Sequence, residues 1–429
     1  MRCMLQTLFF ITFLAGSIFA QNFIAFPVGE YWHFSDARTL GLAGAGSVSN
    51  SAIGALLMNP AAMAVNKPGL RVTVATRARS LEERRSFPIF DRFNDINQFG
   101  IYAINSNWFA NFQGGIQYNL NISAFPWLKS IAVGAFEEVD QSYEYNEEVR
   151  ENIFPDDPLA INHIKFDGQI TRYSFGAAFR IAEPLDVGFQ VGILQGDLDQ
   201  TRTISFINDA IRNRKENSFR SLDNAPLIAS FGAIYRVNPY LSLGGQFQLP
   251  YSVNYDVNFD FSGETLVPIL PAKESIEYPR QATVGVEYRG QQALQARLNV
   301  DVTYEWWSST DQQIVAENPD ISNGLDDVIK IKAGIEHIFF NQVPFRVGVQ
   351  YRTSFLERTN ARILFAAGAG FMGKRWQIDL SGGFSRLDYR FPDLFDDRIF
   401  GGDRSASNID NVEESFFFGM ATVKINLKK

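Results

Sequence analysis

Cysteine is almost missing from this chain of 429 residues; the one present, Cys3, lies near the N-terminus. Residues 1–20 read as a secretory signal. Arg2 supplies the positive start, Met4 to Ala15 is mostly apolar, and Ala20 is a small residue at the expected cut, with Ile18 at the third position before it. The mature chain would then hold no cysteine, which excludes disulfides, thiol catalysis and cysteine-bound metals together. No cysteine follows the apolar run, so no lipoprotein anchor is expected. Long apolar runs are missing too. No later stretch approaches the ~18 residues that a transmembrane helix needs. Positive charge is scarce: 39 Lys and Arg against 47 Asp and Glu give a formal charge of −8 with no basic tract. A nucleic-acid partner is excluded on that ground, because phosphate binding needs a basic footprint.

Histidine is scarce as well: only His33, His163 and His337. His163 opens a strand after a long connector and His337 approaches a short one, which places them at opposite ends of any barrel. No metal centre, Ser–His pair or cofactor site can be assembled, so no catalytic residue is expected. The acidic pairs Asp156-Asp157, Asp326-Asp327 and Asp396-Asp397 read as solvated loop charge. Their sharper reading is divalent-cation bridging at a lipopolysaccharide surface through hard oxygen ligands.

What the chain has in abundance is alternation. From Ala293 to Trp306 the even positions are Leu294, Ala296, Leu298, Val300, Val302, Tyr304 and Trp306. The odd positions are Gln295, Arg297, Asn299, Asp301, Thr303 and Glu305. A period of two separates these sets and a helix cannot. The pattern returns at Tyr255–Phe261, Ala282–Tyr288, Phe345–Tyr351, Trp376–Leu380 and Ala421–Leu427. Short connectors at 183–184, 238–239, 290–292, 340–343 and 373–374 take turns with long ones at 80–108, 146–161, 202–224, 263–276, 309–327 and 391–414. Short turns at one end and long loops at the other mark an outer-membrane barrel. Counting through them predicts about 14 antiparallel strands, with both chain ends on the periplasmic side. Trp108, Trp127, Trp306, Trp307 and Trp376 fall at expected strand ends, where amphipathic rings form interfacial girdles. A soluble β-sandwich would also suit alternating strands. The polar face carrying Arg297, Asp301 and Glu305 instead fits a wet lumen.

One stretch does not alternate. Ser35 to Pro68 is rich in small residues, with Gly41, Gly44, Gly46 and Gly54, and carries Asn59-Pro60-Ala61. It reads as a plug inside the barrel, its glycines permitting close backbone packing. No suitable strand precedes Gly41–Gly46 and no Gly-Lys-Ser/Thr follows, so it is not a phosphate loop. Residues 21–69 would form this plug and residues 70–429 the barrel. Thr203 to Arg212 breaks the strand pattern in another way. Ile204, Ile207 and Ile211 are spaced i, i+3, i+7, which predicts a short amphipathic helix in an external loop and an apolar landing site.

The sequence resembles the outer-membrane long-chain fatty-acid and hydrocarbon transporters of the FadL type. Three stretches carry the resemblance: the plug Ala37–Ala64 with its Asn59-Pro60-Ala61 element, the strand–turn–strand Tyr278–Ser309, and the hairpin Val328–Phe355. It implies a 14-stranded all-β transmembrane barrel with an N-terminal hatch in its lumen, hydrophobic small molecules or lipids as cargo, and hatch-gated lateral release into the membrane. Gly41, Gly44, Gly46, Asn59, Pro60 and Ala61 would then serve gating. The third strand, about Lys129–Tyr145 with Gly134 its only glycine, would hold the wall opening. The chain departs from the family pattern at Ala62-Met63 after the NPA element and at Lys428-Lys429. A branch of the same fold serves protein secretion, and a purely structural barrel is a second alternative.

Overall fold

The structure is a computed structural model. It describes residues 28–29, 34–49, 53–65, 68–93, 95–120, 124–150, 157–263, 271–290, 296–314, 324–357, 359–402 and 409–427. Strands dominate. The first ten are β1 (Gly69–Phe90), β2 (Ile96–Asn119), β3 (Leu128–Asp140), β4 (Tyr143–Arg150), β5 (Pro158–Ala182), β6 (Leu185–Gln195), β7 (Asp197–Phe206), β8 (Arg214–Leu222), β9 (Leu227–Arg236) and β10 (Leu241–Gln248). Next come β11 (Tyr251–Gly263), β12 (Ala272–Tyr278), β13 (Gln281–Arg289), β14 (Ala296–Glu305) and β15 (Gln312–Gln313). The last are β16 (Val328–Phe339), β17 (Val343–Arg352), β18 (Arg362–Met372), β19 (Trp376–Pro392) and β20 (Ile409–Leu427).

Fourteen of these strands close into one antiparallel barrel, in the order β1, β2, β3, β5, β6, β9, β10, β13, β14, β16, β17, β18, β19, β20 and back to β1. The closing pair runs from Leu70 opposite Leu427 to Ser86 opposite Asn411. Closure leaves the ring without an edge strand, each wall strand pairing on both sides over at least part of its length. The alternation in the sequence becomes the two faces of the wall. On β17, Val347 is 65% exposed while Arg346 is 2% exposed. Apolar side chains face outward and polar ones inward, the reverse of a water-soluble core. Such an outer surface is stable against lipid.

β4, the outer half of β5, β7, β8, β11, β12 and β15 form a second sheet that continues the barrel beyond the end opposite the short turns. The breaks between the sheets have a chemical cause. Pro226, Pro250 and Pro279 sit between β8 and β9, β10 and β11, and β12 and β13. Each lacks the N–H that a continuous ladder requires. Between β6 and β7 the break falls at Gly196, whose φ of 159° few side chains would tolerate.

Several expectations change here. Residues 80–108 are not a loop but the paired upper halves of β1 and β2, with Ser80 opposite Trp108. The other long connectors likewise shorten as strands extend into them. Trp108 therefore lies within a strand. Trp307 is fully buried, stacked on Phe355 at 4.7 Å, and belongs to no girdle. Trp127 and Trp376 do stand exposed at strand starts. The inward face is packed rather than wet: Asn299, Asp301, Thr303 and Glu305 are all buried. Residues 293–295 and His33 lie outside the described residues.

Candidate functional site: an occupied lumen beside an open seam

The segment that does not alternate lies inside the barrel. Asp36 starts the single-turn helix Ala37–Gly41, its Oδ1 accepting from Thr39 N at 2.8 Å and Thr39 Oγ1 at 2.6 Å. A second turn of helix, Ala55–Met58, and the 3-10 turn Pro60–Val65 follow. None is long enough to be stable alone, so the wall holds them. Arg38 Nε donates to Glu336 at 2.9 Å and Lys424 pairs with Asp36 at 2.8 Å. Asp301 accepts from Gly46 N, Ser47 N and Ser47 Oγ, each at 2.9 Å. Burial alone would raise the Asp36 carboxyl. Lys424 and the Thr39 donors outweigh it and hold the group well below the usual carboxylate range.

Asn59 makes the most specific contact. Its Nδ2 donates to Ala233 O and Gly245 O, both at 3.3 Å, on the paired strands β9 and β10. Its Oδ1 accepts from Ala61 N at 3.1 Å. Glycines make room for this. Gly188 and Gly232 are cross-strand partners beneath Asn59-Pro60-Ala61, Gly244 and Gly285 beneath Ser47 and Val48, and Gly334 and Gly348 beneath Leu42 and Ala43. A β-carbon at any of these six would collide with the segment. Glycine within a strand marks close approach of another backbone, so paired inward-facing glycines were the signal that sequence reading missed. Within the segment, Gly44 (φ 82°) and Gly46 (φ 121°) hold left-handed conformations, while Gly41 packs against Ser381 and Gly368.

Beside this segment the wall is incomplete. β2 runs from Ile96 to Asn119, yet among the described residues its ladder with β3 spans only Gly114–Asn119, opposite Ala135–Ser130. Above Ala135, β3 bulges between Glu137 and Val139 and then gives way to β4, which among the described residues pairs with β5 alone. The two sides meet again through side chains. Asn107 Nδ2 donates to Glu144 O at 2.7 Å, and Asn146 N donates to Asn105 Oδ1 at 2.8 Å. The result is a window with Gly114 and Ala135 at its base and Asn107 and Glu144 at its top. Arg77 and Arg79 of β1 cross it to ion-pair with Glu137 and Asp140. On the lumen side, Gly29 lies against Val139 and Gln141, and Tyr278 Oη donates to Val28 O at 2.7 Å.

Gly134 sits just below the window, paired with Gly115 on one side and Ser174 on the other. The β2–β3 ladder thus ends one rung above the glycine named from the sequence. An outward-facing apolar groove of about 560 Å3 surrounds this point, lined by Ile116, Val133, Tyr173, Phe175, Ile193 and Leu227. On the inner face, Ile53 approaches Gly115 so closely that a β-carbon there would fall 2.9 Å from Ile53 Cγ1. A single backbone layer separates the luminal segment from the outer groove.

At the far mouth is a cavity of about 420 Å3, floored by Ile204, Phe261, Leu394, Phe395 and Ile399 and edged by Arg202, Arg214 and Lys215. Here the expected helix over 203–212 is wrong. Thr203–Phe206 belongs to strand β7, with Ile204 opposite Asn162 on β5 and Arg214 on β8. Only Ala210–Arg212 makes a 3-10 turn. Two strand partners satisfy the backbone of these β-branched residues, which override the isoleucine spacing. Ile204 is buried in the cavity, Ile207 is half-exposed, and Ile211 is 90% exposed and outside the cavity. The three isoleucines form no common platform.

His163 lies near Glu144 at 3.6 Å and His337 packs on Phe339, at separate places. No group of three or more His, Cys, Asp or Glu residues that could hold a metal occurs among the described residues. Asp396 accepts from Arg398 N at 3.0 Å, Asp327 from Ser308 N at 2.9 Å, and Asp156 lies outside the described residues.

These features define a class: a closed antiparallel barrel of 14 strands with its N-terminal segment in the lumen. Solved structures share the fold over nearly the whole chain. A Pseudomonas aeruginosa FadL homologue superposes with a TM-score of 0.65 at 13% identity, covering 93% of this chain and 99% of that one. The P. putida toluene transporter TodX gives 0.64 at 13%, covering 92% and 98%. The Ralstonia pickettii toluene transporter TbuX gives 0.58 at 14%, covering 94% and 100%. At such identities the likeness is one of fold. No protein-family model matches the sequence, and no curated protein does.

Proposed function

We propose that this protein is an outer-membrane transporter for hydrophobic molecules, with the luminal segment as its hatch and the β2–β3 window as its lateral exit. One observation carries the reading: the β2–β3 wall ladder stops short beside the luminal segment, at an apolar groove on the lipid-facing side. A water-filled pore offers an apolar molecule no driving force. A path from an apolar mouth cavity to an apolar outer groove keeps it out of water, at roughly 25 cal/mol per Å2 of surface kept buried. The hatch residues beside the window are few, Val28-Gly29 within it and Ile53 at its base, so a local hatch shift together with parting of the Arg77–Glu137 and Arg79–Asp140 pairs would clear it. The fold shared with a FadL homologue and with toluene transporters supports this reading. It also supports a role without catalysis.

The test uses liposomes holding the full-length protein and a labelled long-chain fatty acid. Uptake should exceed that of empty liposomes. In a Ser47→Cys/Asp301→Cys variant, oxidation should tie hatch to wall and stop uptake, and reduction should restore it. Equal uptake in the oxidised and reduced forms would sink the hatch mechanism.

A further inference from the structure

The mouth at the short-turn end carries a feature that the transport reading does not use. A cavity of about 160 Å3 lies between the hatch and the ends of seven strands. Five cations line it: Arg38 from the hatch helix, Arg71 of β1, Arg297 of β14, Arg346 of β17 and Lys424 of β20. One carboxylate, Glu336 of β16, lines it with them. Glu336 is engaged by Arg38 at 2.9 Å and Arg346 at 2.7 Å, while Arg297 stays 3.8 Å away. Behind this layer, Asp379 bonds Arg346 at 2.7 Å and Asp36 pairs with Lys424 at 2.8 Å. Arg71 is oriented by a 2.8 Å bond from its Nε to Asn426 Oδ1. Cations therefore outnumber the carboxylates around the cavity, and low-dielectric walls focus the resulting positive potential into it.

We infer that this cavity is an anion site for a phosphate-sized oxyanion, held chiefly by Arg71 and Arg297 and completed by Arg38. At ~30 Å3 per water molecule, the space suits one tetrahedral oxyanion with some hydration and not an extended chain. Guanidinium forks match such oxygens in a bidentate manner. Arg38 belongs to the hatch while the other cations belong to the wall, so a bound oxyanion adds a contact between them. It stabilises the seated hatch by mass action.

The test is independent of transport. Inorganic phosphate is titrated into the full-length protein in detergent micelles at constant ionic strength, with chloride as the control, and the thermal midpoint is followed. A saturable rise with phosphate alone is expected. Asn426→Asp places a carboxylate beside Arg71 with little change of shape and should weaken phosphate binding at least tenfold. Arg71→Gln/Arg297→Gln should do the same. Arginine modification of the wild-type protein gives a readout that needs no variant: phosphate should protect Arg71 and Arg297. An equal response to chloride, unaltered binding in folded Asn426→Asp, or no protection of these two arginines would each overturn the site.

Discussion

Asn59 sits directly on Gly232. The amide of Asn59 spans the β9–β10 pair, and a β-carbon at position 232 would occupy the place of its Oδ1. The luminal segment is seated by a missing side chain on the wall as much as by its own bonds.

Gly232→Ala should therefore unseat the hatch. At Gly245, on the neighbouring strand, the nearest atom to an added β-carbon is 3.8 Å away, an ordinary contact. Gly245→Ala should be tolerated. Planar-bilayer conductance and sensitivity of cells to a bulky antibiotic should rise in the first variant and stay at the wild-type level in the second.

Asp301 gathers three donors from Gly46 and Ser47. Bonds to a charged acceptor contribute about 1.5–3 kcal/mol each, and not additively. Asp301→Ala should accelerate hydrogen exchange at the Gly46 and Ser47 amides by ten- to a hundredfold or so. Exchange along β18 should be unchanged.

Glu147, on β4 outside the barrel, has its pKa raised from the ordinary 4.5 to about 7, first by burial and then by Asp393. The folded state then holds a proton that the unfolded chain releases between those values. Stability from this group is fully present below pH ~4.5 and is lost as the pH rises through about 7. Proteolysis of the β4 region should slow on acidification from pH 8 to pH 5, and Glu147→Gln should remove that dependence.

Phe261 and Phe395 form part of the apolar floor of the mouth cavity, with Arg202 stacked over Phe395 at 5.3 Å. If hydrophobic cargo is captured there, Phe261→Asp should weaken capture by roughly ten- to a hundredfold, the worth of one buried aromatic contact. Concentration dependence of uptake should shift while the saturated rate holds.

The strand alternation was legible because a wall between lipid and a polar interior forces a period of two. The breaks at Pro226, Pro250 and Pro279 have a chemical cause, since proline offers no ladder N–H, but the alternation did not reveal them. The segment from Ser35 onward stood out because it lacks that period. Isoleucine spacing misled at Ile204, where strand pairing with β5 and β8 outweighed a local helical pattern.

By itself, then, the sequence determined a closed antiparallel barrel and a small-residue segment unable to join its wall. Only the tertiary structure decided which glycines face each other beneath that segment, where the β2–β3 ladder stops, and which charges meet across the gap. Those are properties of register between strands, and register couples residues far apart in the chain whose pairing no local period encodes.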